Sequence, residues 1–197
     1  MFLNLHDHDE LDRLYALFKE QAEAISALVY RVTDPSAAGK KLREIINQLA
    51  VNKLVAVPSP LVNSCLNNAG AQTAAVHTTN LRNYAPEADL GLSEVDLAVA
   101  ETGTLVQDST APEQRLVSTL PPVHVALVQT GRLVHYLSDA IDLFNTNKDT
   151  SSLPGYISFI SGPSRTADIE RVLTIGVHGP EKLYVIFVDR AGGACVE

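Results

Sequence analysis

Tryptophan is absent from these 197 residues, aromatic side chains make up only 6%, and there is a single methionine. A chain that stacks single-stranded nucleic acid needs aromatic platforms, so that function is disfavoured. Positive charge is scarce as well: 15 Lys and Arg stand against 23 Asp and Glu, a formal charge of -8. This balance opposes binding to a phosphate backbone. The two cysteines, Cys65 and Cys195, are far apart and neither belongs to a Cys-x-x-Cys pair. Such spacing suits neither an iron–sulfur cluster nor a zinc ribbon, so no iron–sulfur cluster is expected in this chain. No apolar run is long enough for a transmembrane helix. The first ten residues lack the basic start and apolar core of a signal peptide. The expected compartment is the reducing cytoplasm. Also missing are the P-loop, a G-x-G-x-x-G after a strand, and a G-x-S-x-G elbow, which disfavours nucleotide sites and hydrolase-type serine chemistry.

What is present is ample core. Hydrophobic residues make up 46% of the chain, which suits one folded domain. Leu11, Leu14, Tyr15, Phe18, Ala22, Ile25 and Val29 recur at helical spacing, predicting an N-terminal helix. Before it, His6-Asp7-His8-Asp9-Glu10 reads either as a metal-binding cluster or as a solvated helix start, and no metal site is assigned. Leu42 to Leu49 predicts a second helix. Lys53–Val57, Ala74–Thr78, Val95–Ala100, Val123–Val128, Leu133–Val134, Tyr156–Ile160 and Lys182–Val188 read as strands. Leu61–Asn68 and Leu137–Phe144 read as helices, and a further helix is expected after Ser161–Thr166, running to about Ile175. Asn80–Leu92 reads as a polar surface segment and Asn145–Gly155 as a loop. Alternating helices and strands predict a mostly parallel sheet in an α/β fold. The expected organisation is an N-terminal helical segment, 1–50, packed on an α/β domain, 51–190.

Val95–Ala100 looks like a strand buried on both faces, and it stops at Glu101-Thr102-Gly103-Thr104. A carboxylate at a buried strand end can act as nucleophile or general base, or can hold a loop by accepting backbone hydrogen bonds. Glu101 is the candidate catalytic residue. Gly103 either lets the chain turn or lets a ligand approach. His124, inside an apolar strand, reads as a core histidine or a ligand. His178, in Gly-Val-His-Gly-Pro, is placed to face a cleft. Ser161-Gly162-Pro163-Ser164-Arg165-Thr166, before the expected helix, suits an anion bound by free N–H groups with Arg165 adding charge. The alternative is that Ser164 and Thr166 only cap that helix.

The stretches Ala100-Glu-Thr-Gly-Thr-Leu-Val106, Arg115-Leu-Val-Ser-Thr-Leu-Pro-Pro-Val-His124, Ser161-Gly-Pro-Ser-Arg-Thr-Ala-Asp-Ile-Glu170 and Gly176-Val-His-Gly-Pro180 resemble the LUD domain, the family of lactate-utilisation protein C. The resemblance covers about the C-terminal half. It implies a three-layer α/β/α sandwich of the NagB/RpiA/CoA-transferase-like group, with N-terminal helices. It implies a part in oxidising L-lactate to pyruvate, in organic acid metabolism, beside iron–sulfur oxidoreductase partner subunits. From the residues themselves, a small carboxylate or phosphate ligand is expected among Thr102, Gly103, Thr104, Arg115, His124, Gly162, Ser164, Arg165, Thr166, Asp168 and His178. The alternative is a CoA-transferase-like or sugar-phosphate-type enzyme using Glu101. Class I CoA transferases carry their glutamate beside Asn-Gly, whereas here Thr102 stands where Asn would.

Overall fold

The buried face of the first helix is Leu14, Phe18 and Ala22, three or four residues apart, as an amphipathic helix requires. This computed structural model describes residues 8–70, 74–145, 154–167, 173–175 and 179–190. The helix, α1, runs His8–Ala24 and is followed by strand β1, Leu28–Val32. Val29 is therefore a strand residue, not a further turn of α1. The break falls at Ser26, which adopts φ 71° and lets Ala27 N–H donate to Ala22 O. Helix α2 is Pro35–Gln48, strand β2 is Lys53–Ala56, and helix α3 is Pro60–Ala69. Both helices open on a capping side chain: Asp34 accepts from Ala37 N–H and Ser59 from Val62 N–H. Proline follows each cap, where its fixed φ and missing N–H cost nothing.

Next come β3 (Ala75–His77), α4 (Leu81–Tyr84), β4 (Leu90–Glu94), β5 (Leu97–Val99) and β6 (Thr104–Asp108). The chain continues through α5 (Pro112–Thr119), β7 (Val123–Gln129), β8 (Leu133–Val134) and α6 (Leu137–Asn145). It ends with β9 (Ile157–Ile160), β10 (Arg165–Ala167), β11 (Leu173–Ile175) and β12 (Lys182–Val188).

Six strands form the main sheet in the order β1-β12-β7-β4-β2-β3, and every pairing is parallel. One face packs on α2 and α3 through Leu42, Ile45, Leu54, Leu92, Val125 and Ile186. The other face is covered by α1 over β1 and β12, where Phe18 meets Phe187 edge-on at 5.0 Å. Helices α4 and α5 cover its β2 side through Leu81, Ala85 and Val117. Between them lies a second sheet, order β8-β5-β6-β9, with α6 on its outer side. The fold is thus an α/β sandwich whose second outer layer is part helix, part sheet. The first 48 residues supply α1, β1 and α2, so that segment adds an edge strand to the sheet.

Three expected segments differ. Leu90–Leu92, the end of the segment read as surface, belongs to the central strand β4, while the strand expected at Val95–Ala100 crosses over and forms β5 of the second sheet. Val95 N–H still donates to Leu127 O in the main sheet, but Asp96 N–H already donates to Val106 O in the second. The helix expected after Ser161–Thr166 is instead an antiparallel pairing of β10 with β11.

Candidate functional site

The sequence motifs converge because of strand register. In the β6–β9 pair Leu105 faces Ile160. One step further along this antiparallel ladder, Thr104 faces Ser161, and their hydroxyls lie 2.8 Å apart. Thr104 is buried and Ser161 exposed, so the pair sits at a surface. From Ser161 the chain passes Gly162 (φ 76°) to Ser164, whose N–H donates to Pro180 O at 2.8 Å. Gly179 lies against Ser164, 3.1 Å from an added Cβ to the Ser164 Cβ. Arg165 then donates from Nη2 to Ser26 Oγ. Four regions far apart in sequence meet here: the turn after α1, the β5–β6 turn, 161–165 and 179–180.

Helix α1 forms one side of this cluster. A Cβ on Gly103 (φ 62°) would lie 2.4 Å from Ala22 N, and one on Gly162 would lie 2.7 Å from Ile25 O. The close approach that Gly103 permits is thus to helix backbone. The cluster lies at the amino-terminal edge of the parallel sheet, where Glu181 and Lys182 N–H groups donate to Pro122 O as β7 and β12 begin. Parallel α/β sheets more often take ligands at the carboxyl edge, where the sequence placed this site. With β10 in place of a helix, no helix N-terminus among the described residues backs Ser164 and Arg165. Arg165 offers an anion its guanidinium, and hydroxyls on Ser26, Ser164 and the Thr104–Ser161 pair belong to the same cluster.

Glu101 stands elsewhere. It is exposed on the β5–β6 turn, and its Oε1 accepts from Leu137 N–H at 2.8 Å, holding the first turn of α6. The expected cleft between the ends of Val95–Ala100 and Val123–Val128 does not form, since β5 belongs to the second sheet. Thr102 is exposed beside it. Arg115 donates to Ser109 O and lies 4.8 Å over the Tyr156 ring. That is the far end of β6 from Thr104, about 17 Å away at about 3.3 Å per strand residue. Thr166 lies in β10, paired with Thr174. Asp168 and His178 lie outside the described residues, as do His6 and Asp7. Among the described residues no group of three or more His, Cys, Asp or Glu side chains is placed to hold a metal.

His124 belongs to a buried polar seam that sequence reasoning missed. Its Nε2 lies 2.9 Å from Ser93 Oγ, and Gln107 Nε2 donates to the same oxygen at 3.2 Å and to Gln114 Oε1 at 2.8 Å. His124 Nδ1 and Gln107 Oε1 are buried without a partner. Burial pushes the imidazole down to about 4, so it is neutral near pH 7. Gly91, adjacent to His124 in register, leaves room for α5: an added Cβ would fall 2.0 Å from Val117 O. At the carboxyl edge, Glu94 accepts from Ser59 Oγ (2.5 Å) and Gln129 Nε2 (3.0 Å). There β2 leads into α3 on one face while β4 leads into the second sheet on the other, a topological switch point. The signal was Pro58-Ser59-Pro60 at a strand end, but misplacing β4 hid Glu94. Cys65 is buried, its thiol pushed up to about 12 by desolvation, and so is unreactive. A half-open groove of about 540 Å³ beside β3, lined by Asn63, Leu66, Asn67 and Val76, has no ionisable side chain.

Fold and cluster together define a parallel α/β domain whose loop motifs gather around one arginine and a hydroxyl pair. The chain belongs to the LUD domain family, whose profile matches residues 15–188. It is 32% identical over 203 aligned positions to lactate utilization protein C 1 of Bacillus mycoides (strain KBAB4), covering 94% of this chain and 83% of that one. It is 40% identical over 102 positions to lactate utilization protein C of Shouchella clausii (strain KSM-K16), covering 52% of this chain and 44% of that one. That match therefore spans less than half of the Shouchella protein. A crystal structure of a DUF162 family protein from Deinococcus radiodurans shares the fold, with TM-score 0.65 at 18% identity over 90% of this chain and 98% of that one. No helix among the described residues is long and apolar enough to cross a membrane.

Proposed function

We propose that this protein takes part in lactate utilisation as a component without an iron–sulfur cluster, and that it binds a small carboxylate at Arg165. The relatives' shared name supports the first part. The observation that carries the second is that the Thr104–Ser161 pair, joined at the end of the β6–β9 ladder, and Arg165, bonded to Ser26, both lie against the last turn of α1. A guanidinium pairs with a carboxylate through two parallel N–H donors. A hydroxy acid or its oxo form then has an oxygen left for the hydroxyl pair. In this reading the domain binds or hands on the organic acid. Electron transfer belongs to iron–sulfur oxidoreductase subunits, which a pull-down from lactate-grown cells would recover.

The test is titration calorimetry with L-lactate and pyruvate on the wild-type protein and Arg165→Ala. Losing a charged hydrogen bond costs about 1.5–3 kcal/mol, so the variant should bind about tenfold or more weakly. Equal affinity in the two proteins, with only a lower melting temperature in the variant, would show that Arg165 merely holds the end of α1.

A further inference from the structure

We infer that Ser26 is a positioning residue for Arg165, and that the last turn of α1 is therefore a working wall of the carboxylate site. The inference rests on the reading of Arg165 given above and adds a residue that no sequence motif marks. Three observations carry it.

The first is conformational. Ser26 follows α1 with φ 71°, the left-handed backbone that ends many helices. Glycine is the usual residue there because a Cβ is disfavoured. Ala50 ends α2 in the same conformation with φ 50°, so the backbone alone asks for no hydroxyl; what it does at Ser26 is fix the direction in which the side chain leaves the helix end.

The second is the contact itself. The Ser26 hydroxyl oxygen accepts from Arg165 Nη2 across 139 residues of sequence. Having accepted with its oxygen, the hydroxyl keeps its own proton to donate. A carboxylate seated on the guanidinium would meet that proton together with the remaining N–H donors.

The third is seating. Gly103 and Gly162, on two different loops, lack the Cβ that would strike Ala22 N and Ile25 O. Both loops are thereby pressed onto the same helix turn that presents Ser26. Backbone contacts hold the two loops against the turn that carries Ser26, and the guanidinium is held to it by its side-chain hydrogen bond. In an unrestrained long side chain, Arg165 would sample many rotamers, and each immobilised chain of this kind weakens binding. Ser26 removes that freedom before the ligand arrives.

The backbone at Ser26 supplies an unusually clean test. Ser26→Gly keeps the left-handed conformation, which glycine adopts without penalty, and removes the whole CH2OH group, the hydroxyl with its Cβ. The variant should melt at or above the wild-type temperature, yet bind L-lactate and pyruvate about tenfold more weakly. Ser26→Asn also tolerates the left-handed region and restores an oxygen acceptor, so it should recover most of the lost affinity. Unchanged affinity in Ser26→Gly while Arg165→Ala binds weakly overturns the role of Ser26 and leaves the carboxylate site standing. A loss in Ser26→Gly that Ser26→Asn does not restore, or that tracks a fall in melting temperature, overturns it as well. If Arg165→Ala binds like wild type, or wild type binds neither acid, the carboxylate site itself fails and Ser26 with it.

Discussion

Gly103→Ala tests whether α1 is seated against the motif cluster. Two costs follow from the geometry. An alanine at φ 62° sits in the left-handed region, at about 1–2 kcal/mol for an L-residue. Its Cβ would also lie 2.4 Å from Ala22 N and 2.8 Å from both Ala22 Cα and Gln21 C. All three are backbone atoms of α1, so no side chain can rotate away, and relief requires the helix to move. Overpacking of this kind costs about 1–3 kcal/mol. Together these predict about 2–5 kcal/mol, a large share of the roughly 5–15 kcal/mol that holds a domain folded. At about 2–4 °C per kcal/mol for a chain of this size, melting should fall by about 4–20 °C. Gly131→Ala is the control: that glycine has no atom within 4 Å of an added Cβ and no positive φ. It should be neutral, or gain up to about 1 kcal/mol from a stiffer unfolded chain. Guanidinium and thermal unfolding of both variants, followed by circular dichroism, settle the matter. If Gly103→Ala melts within a degree or two of wild type, α1 does not press on the β5–β6 turn, and its role as a wall of the site goes too.

Two further predictions use groups away from that contact. His124 has a folded pKa of about 4 against about 6.5 when exposed, so its neutral form is favoured by folding. Its contribution is whole above pH 6.5 and is lost as pH falls from 6.5 to 4, by about 3 kcal/mol; His124→Gln should flatten the unfolding free energy over that window, and an unchanged pH slope would show that His124 is not buried neutral. Glu101→Ala removes the acceptor of Leu137 N–H and should cost about 1 kcal/mol, as loss of a helix cap does. Glu101→Gln keeps an acceptor oxygen and should cost less than half as much. A Glu101→Gln protein that folds normally but fails to restore growth on lactate in a deletion strain would return Glu101 to the chemistry.

How much of this was legible depended on what each segment packs against. Helices α2 and α3 were readable because Asp34 and Ser59 cap them with proline next, and β7 and β12 because both faces are buried in apolar side chains. Strand β4 was not. Its Leu90, Leu92 face packs on α2 and α3, but its other face shows Gly91 to the α5 backbone and Ser93 to His124. Leu-Gly-Leu-Ser-Glu therefore reads as polar, although it lies at the centre of the sheet. Val95–Ala100 misled in the opposite direction: apart from Asp96 it is apolar and buried, although it passes from the main sheet into β5 of the second. The end of α1 was hidden because a serine occupies the left-handed position where a glycine would have marked the stop.

The motifs themselves were easier to find than to place. Two hydroxyl-rich stretches, 102–104 and 161–166, were read separately, one as a strand end and one as a helix start. Neither local reading explains why they belong together. The β6–β9 register does, since a ladder that pairs Leu105 with Ile160 pairs Thr104 with Ser161 at its next step. A cross-strand Thr–Ser hydrogen bond alone contributes about 0.2–1 kcal/mol and needs no ligand to account for it. Arg165 alone would be a cation beside a helix end whose dipole is negative, which stabilises the helix. Each part thus has a structural use, and neither implies a site. What the carboxylate reading adds to these structural uses is their placement on one helix turn, with the Ser26 hydroxyl on Arg165 and the Thr104–Ser161 pair on a loop seated beside it, and the affinity of Arg165→Ala for L-lactate and pyruvate decides between the two.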